Sequence, residues 1–275
     1  MRTRLETLAL LLVSLLLFSL PASGQKRLAG NPKTQFDHHD LSGFWIRLGT
    51  RPNDHPQLTG RGTAMMRGRR PDYLQTSPLN SNDPMYTCNP QGFPRLTWEE
   101  NEPLEIVMLP GRILHLYEQQ RTLREIWLDG RKLPSGQALD DLGPNWYGHS
   151  VGEWQGDTLV VTTTGFDERM WMDEWADPLS FDAKLEERYR MIDSNTISGQ
   201  LTINDPKVYM KPWVQEPQLF HRMSDESVTS SGWKGLFSGA SDGVCAPIND
   251  VDDFDKRVKV PAAKGIAPAE EEGPK

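Results

Sequence analysis

From Leu104 onward the chain is cut into short runs of alternating apolar and polar residues, with a turn signal roughly every 8 to 15 residues. Leu104–Leu109 and Arg112–Glu118 flank Pro110-Gly111, and Thr122–Leu128 ends at Asp129-Gly130. His149–Trp154 and Thr158–Thr164 flank Gln155-Gly156-Asp157, and Glu187–Ile192 and Ile197–Asn204 flank Ser194-Asn195. A period of two sends successive side chains to opposite faces of a strand. Many short strands punctuated by Gly, Pro, Asn and Asp fit a barrel or a sandwich. Successive hairpins leave little room for crossover helices. The expected fold is therefore mainly β: an antiparallel up-and-down, lipocalin-like barrel, with a β-sandwich as the alternative.

The flanking segments differ in texture. Arg2 and Arg4 precede the apolar run Leu8–Leu20, which Pro21 ends, and Ala22-Ser23-Gly24 offers small residues for cleavage before Gln25. Residues 1–24 thus read as a signal peptide of a secreted or periplasmic protein. The apolar run is shorter than the roughly 20 residues a spanning helix needs, so no membrane span is expected. Residues 25–103 read as a first strand around Leu41–Arg47 followed by a wrapping segment. That segment is rich in Pro, Gly, Asn and Arg and carries a short helix near Thr59–Arg67. Residues 104–248 form the β body, and 249–275 read as a disordered acidic tail.

Charge narrows the partners. Arg2, Arg4 and Glu6 carry a net +1, so the chain's formal −8 becomes −9 once the signal is removed. A surface this acidic repels nucleic acid, and the basic run Arg61–Arg70 reads as a solvated face. There are two cysteines, Cys88 and Cys245. Export permits a disulfide between them, the alternative being two unpaired thiols.

The stretch GHSVG at 148–152 matches the serine-hydrolase elbow, G-x-S-x-G. An elbow needs a strand before the serine and a helix after it. Here a loop-like stretch, Leu142–Tyr147, precedes Ser150, and the residues that follow read as strand, tight turn, strand. Gly148 and Gly152 are better explained by close backbone approach.

The run WYGHSVGEWQGDTLVVTTTGF at 146–166 resembles a family of uncharacterised secreted bacterial proteins with a GHSVG-x-W-x-GDTLVV-x-T-x-GF block. The resemblance extends to CNPQGFPR at 88–95, YEQQRTLREIWLDGR at 117–131 and ERYRMIDSNTISGQLTINDPKVYMKPW at 187–213. It implies a shared fold. Relatives often carry Pro-His-Ser-Asp or Pro-His-Ser-Glu before the ERYR-like strand, where this chain has Pro178-Leu179-Ser180-Phe181. Any acid–base or metal pair built from that histidine and carboxylate is missing here.

Function is expected inside the barrel. His115 and Tyr117 share one face of their strand, Glu118 faces the other way, and Arg124, His149 and Glu187 lie on strands that a closed sheet brings together. The favoured reading is a binder of a small, largely apolar or aromatic molecule in the interior. Trp146, Tyr147, Trp171, Trp175 and Trp213 would supply contact area, with Trp171 and Trp175 sharing a face if their segment is helical. Tyr117, Arg124, His149 and Glu187 would supply polar anchors, with His115 and Glu118 beside them. The alternative is a cofactor-independent acid–base enzyme, a lyase, isomerase or hydrolase, with Glu187 or His149 moving the proton. A third reading, a surface-interaction module, implies a filled barrel and exposed apolar patches. No cofactor motif is present. The six histidines are scattered without ligand spacing, so no metal site is expected.

Overall fold

The structure, a computed structural model, describes residues 36–47, 55–71 and 81–224. The strands are β1 (Gly43–Arg47), β2 (Leu104–Leu109), β3 (Arg112–Tyr117), β4 (Leu123–Trp127), β5 (His149–Gln155), β6 (Thr158–Thr164), β7 (Lys184–Asp193), β8 (Thr196–Asn204), β9 (Trp213–Val214) and β10 (Gln218–Arg222). Three short helices accompany them: α1 (Gly60–Met66), α2 (Arg95–Trp98) and α3 (Gln137–Leu142). Among the described residues no helix is long and apolar enough to cross a membrane.

The sheet closes into a barrel. Strands β1 to β8 follow one another around it, and β10 fills the gap by pairing with both β8 and β1. β9 pairs with a different stretch of β8, at Thr202 and Ile203. The expected mainly-β barrel is thus present, and it is a mixed one. Every pairing is antiparallel except β4–β5, which run parallel through only Ile126↔Ser150 and Trp127↔Val151. The cause is the long connection between them: residues 128–148 carry α3 back to the end of the sheet where β4 began, as a parallel neighbour requires. β9 and β10 carry no clear alternation and were not anticipated.

Alternation decides the interior. In β7, Leu185, Glu187, Tyr189 and Met191 are buried, and in β8, Ile197, Gly199, Leu201 and Ile203 face them. Ile113, His115 and Tyr117 of β3, Arg124 and Ile126 of β4, and Val161 and Thr163 of β6 join this lining. The β1–β2 connection then enters the barrel: every residue from Gln91 to Glu99 is buried. This plug sets Trp98 against Tyr189, stacked at 5.8 Å, and against Phe220, edge-on at 5.6 Å. β8 leaves room for it at Gly199, where a Cβ would fall 2.9 Å from Trp98 Cη2. The chain's own residues 91–99 thus enter the interior that was expected to hold a ligand.

The wrapping segment is stitched down from outside. Thr59 caps α1 by accepting from the Gly62 amide at 3.1 Å, while its own N–H donates to the Val208 carbonyl at 2.8 Å. Arg69 reaches across to the carbonyls of Glu168, Met170 and Ala176. Residues 167–183 form turns without a helix, so Trp171 and Trp175 do not present one helical face.

Candidate functional site

The strands gather several of the sequence-selected residues into one buried polar cluster. His115 and Arg124 are cross-strand neighbours, and Glu187 lies opposite Val161, one strand over from Ser150. Arg124 Nη1 and Nη2 donate to Glu187 Oε1 and Oε2 at 3.1 and 2.5 Å. Both side chains are sealed, at 1% and 0% exposure. Nη2 also donates to Ser150 Oγ and Thr163 Oγ1, at 3.1 and 3.0 Å. The Tyr189 hydroxyl and Trp98 Nε1 complete the donors to Glu187, at 2.5 and 3.4 Å. The plug takes part again through Phe93, whose ring lies 3.7 Å from the guanidinium carbon.

Electrostatics make this a fixed ion pair. Burial alone would lower the Arg124 pKa, but the Glu187 carboxylate outweighs it and raises the value. Burial, reinforced by the nearby Glu187 charge, pushes the Tyr189 hydroxyl well up. Burial also raises Tyr117, to about 12, and its hydroxyl is engaged by Thr97 Oγ1 at 2.5 Å. Glu187 is thus held by two donors from Arg124 and one each from Tyr189 and Trp98.

His115 is neutral in this setting. Burial, helped by the Arg124 charge, drives its imidazole from 6.5 down to about 3. The unfolded chain binds a proton near 6.5 that the folded barrel refuses until about 3, so this group's contribution is intact above 6.5. Between those limits stability is expected to fall as pH drops, by about 1.4 kcal/mol per unit. His115→Gln should flatten that slope in urea-denaturation midpoints taken across the window. An unchanged slope would show that His115 is not the group held neutral.

Ser150 is no nucleophile in this arrangement. It sits within β5, buried, with its hydroxyl shared with Thr163 at 2.9 Å, and a tight turn and β6 follow it. The flanking glycines answer to space. A Cβ on Gly148 would lie 2.6 Å from Thr163 Cγ2, and one on Gly152 would lie 2.7 Å from Leu128 Cδ2.

The other selected residues separate. Tyr147 and His149 line a cleft of about 450 Å³ along the β4–β5 seam, with Leu123, Trp127, Arg131, Leu142 and Asn145. Arg124 and Ser150 also border this cleft, so it approaches the polar cluster through the sparse parallel pairing. Arg131 covers Trp127 at 3.6 Å from the ring centre. His149 Nε2 donates to the Gly143 carbonyl at 3.0 Å. Trp146 lies under Arg169, at 5.4 Å. Glu118 begins a 3-10 turn after β3 and does not join Arg124, whose carboxylate partner is Glu187.

Trp171, Trp175 and Trp213 belong to a third place. Trp171 lies 5.8 Å from the Arg69 guanidinium. Trp175 and Trp213 bracket His55, at 5.0 and 6.1 Å between ring centres. Beside His55 stand Asp173 and Asp177, a grouping that sequence reasoning missed. Asp177 lies 122 residues from His55, and the signal was only a pair of aspartates four apart. Burial, then the Asp177 charge, pushes the Asp173 carboxyl well above the usual carboxylate range. Further along this segment, Leu179 is buried, and Ser180 donates through its N–H and Oγ to Asp205, at 2.7 and 2.9 Å. The stretch Pro178–Phe181 is thus a packing element here.

Cys88 ends a 3-10 turn in a left-handed conformation, φ 61°; its expected partner, Cys245, lies outside the described residues, as do the signal segment and the C-terminal tail. Comparison of the chain with protein-family models and with curated proteins gives no match in either case.

Proposed function

We propose that this barrel is an exported binding protein for a small, largely apolar or aromatic molecule, and that the molecule docks in the β4–β5 seam cleft rather than along the barrel axis. The supporting observation is the contrast between the two places. The plug occupies the axis, whereas the seam offers about 450 Å³ edged by two aromatic rings and two exposed leucines. Leu123 and Leu142 are 49% and 58% exposed there. The lining is mixed: these apolar side chains stand beside Glu125, Arg131 and Lys132, so the cleft offers both contact area and polar groups that fix orientation. Trp127, with Arg131 across one face, and Tyr147 supply aromatic surface, and His149 stands beside them.

The test is a thermal-shift screen of the mature protein against aromatic and aliphatic metabolites, with each mixture then analysed by mass and chromatography. Trp127→Ala is expected to weaken a genuine hit by about tenfold or more, the loss of one good aromatic contact. A hit that binds Trp127→Ala as tightly as wild type removes the seam from consideration. Chemical alteration of the hit would establish turnover, which Glu187, with both its oxygens engaged, does not favour.

Export and a Cys88–Cys245 bridge belong to the same proposal. The intact mass of protein recovered from outside the cytoplasm should begin at Gln25 and lack the two thiol hydrogens. A chain retaining residues 1–24, or one carrying two alkylatable thiols without reduction, would contradict them.

A further inference from the structure

His55 is delivered to its neighbours by the fastened wrapping segment. The Met210 N–H donates to the Gln57 carbonyl at 2.9 Å, and the Thr59 N–H to the Val208 carbonyl at 2.8 Å. These bonds set the imidazole over the turns that carry Asp173 and Asp177. His55 Nδ1 lies 2.5 Å from Asp177 Oδ2 and 4.0 Å from Asp173 Oδ2. One ligand atom from each of the three residues falls within 4.8 Å of the others.

The arrangement presses two carboxyl groups together. Asp173 is 1% exposed, and its Oδ1 accepts from the Trp175 and Asp177 amides at 3.0 and 2.9 Å. Its Oδ2 receives no N–H donor among the described residues; the Asp177 carboxyl lies within hydrogen-bonding reach of the Asp173 side chain, and His55 Nδ1 stands 4.0 Å from Oδ2. Arg69 carries a charge that reaches both carboxylates, and His55 Nδ1 is within hydrogen-bonding distance of Asp177 Oδ2. The hydrogen bonds of Arg69, however, go to the backbone carbonyls of Glu168, Met170 and Ala176. Two carboxylates held together away from water repel each other unless a cation or a shared proton lies between them.

We infer that His55, Asp173 and Asp177 bind a divalent transition-metal ion of the Zn²⁺ or Mn²⁺ type. One imidazole nitrogen and two carboxylate oxygens suit such ions, whereas Mg²⁺ and Ca²⁺ take oxygen ligands throughout. Ligands at about 2.0–2.2 Å from a tetrahedral ion stand about 3.4 Å apart. The His55–Asp177 contact therefore opens by less than about 1 Å. His55, at 30% exposure, is the member free to make that move. Three protein ligands leave a coordination position for water or a substrate group. The site shares no residue with the seam cleft, so it stands or falls separately from the ligand-binding proposal.

The experiment uses full-length mature protein, stripped with chelator, dialysed and titrated with Zn²⁺ by calorimetry, with Co²⁺ absorption as a second readout. One equivalent should bind and raise the Tm. His55→Ala should weaken binding by about a hundredfold or more, beyond what loss of a supporting residue costs, and should bleach the Co²⁺ bands. His55 is half-buried and its loop is held by backbone bonds, so this variant tests the site without removing a core residue. Asp177→Asn provides the second variant.

Failure to bind one equivalent of either ion overturns the inference, and so does binding that survives both substitutions. A rise in stability of metal-free Asp177→Asn over wild type, with no metal effect on wild type, would assign the pair a shared proton instead.

Discussion

Glu187→Gln is expected to cost the barrel about 3–5 kcal/mol, the loss that follows when a sealed charge is left without its counterion. The amide keeps one acceptor for Arg124 but turns an NH₂ group toward the guanidinium or the Trp98 indole, which only donate, or toward the Tyr189 hydroxyl, which must give up its own donation to Glu187 to accept. Arg124 cannot escape by losing its proton and is only 1% exposed. Against the 5–15 kcal/mol typical of a folded domain, the change is a large fraction of the whole. A urea melt of the variant should show the midpoint displaced with little change in slope. The paired replacement Glu187→Leu with Arg124→Met should recover most of the loss, because apolar side chains of similar size do not carry the desolvation penalty. A loss below about 1 kcal/mol in Glu187→Gln would mean that water reaches the pair, and the description of a sealed cluster would be wrong.

Trp98→Ala should have an effect of similar size by another route. The indole fills the space between Tyr189, Phe220 and the Cβ-less position at Gly199. Removing a buried tryptophan costs about 3–5 kcal/mol, part in lost transfer energy and part in the void left behind. That void would lie where the barrel was first expected to hold a ligand, lined by aromatic rings. Free indole is therefore expected to raise the Tm of Trp98→Ala and leave wild type unmoved, because only the variant has the space. If the variant is strongly destabilised and indole does nothing, the barrel has collapsed onto the gap and the plug is more deformable than its packing implies.

The strands were legible because half-buried β structure writes itself as alternation. In β7 and β8 every second residue is buried, but with charges on both faces of β7 the alternation alone did not say which face points inward, and so whether Glu187 does. Partnership was harder. Glu118 was expected beside the polar anchors, but β3 ends before it and Glu118 begins a 3-10 turn, so the carboxylate that meets Arg124 is Glu187. The parallel seam was hidden because the return path through α3 is a property of a long loop, not of β4 or β5. The plug was hidden for a different reason. Gln91-Gly92-Phe93-Pro94-Arg95 has the composition of an exposed connection, and only closure of the sheet around it makes it interior. His55, Asp173 and Asp177 left almost no trace, because what unites them is the bonding of residues 57–59 to 208–210.

The way the barrel is shut also sets a schedule for its formation. β10 is the keystone, paired on one side with β8 and on the other with β1. Trp45 thereby meets Arg222, residues near opposite ends of the described chain. The entropy of closing so long a loop, about 4–5 kcal/mol on logarithmic scaling, must be met before the last seam rewards it. Such non-local pairing places folding in the slow range, milliseconds to seconds. Until β10 arrives, β1 and β8 each show a bare row of amides and carbonyls, a template on which two copies could pair with each other. The final strand thus both completes the structure and ends the interval in which the chain is vulnerable.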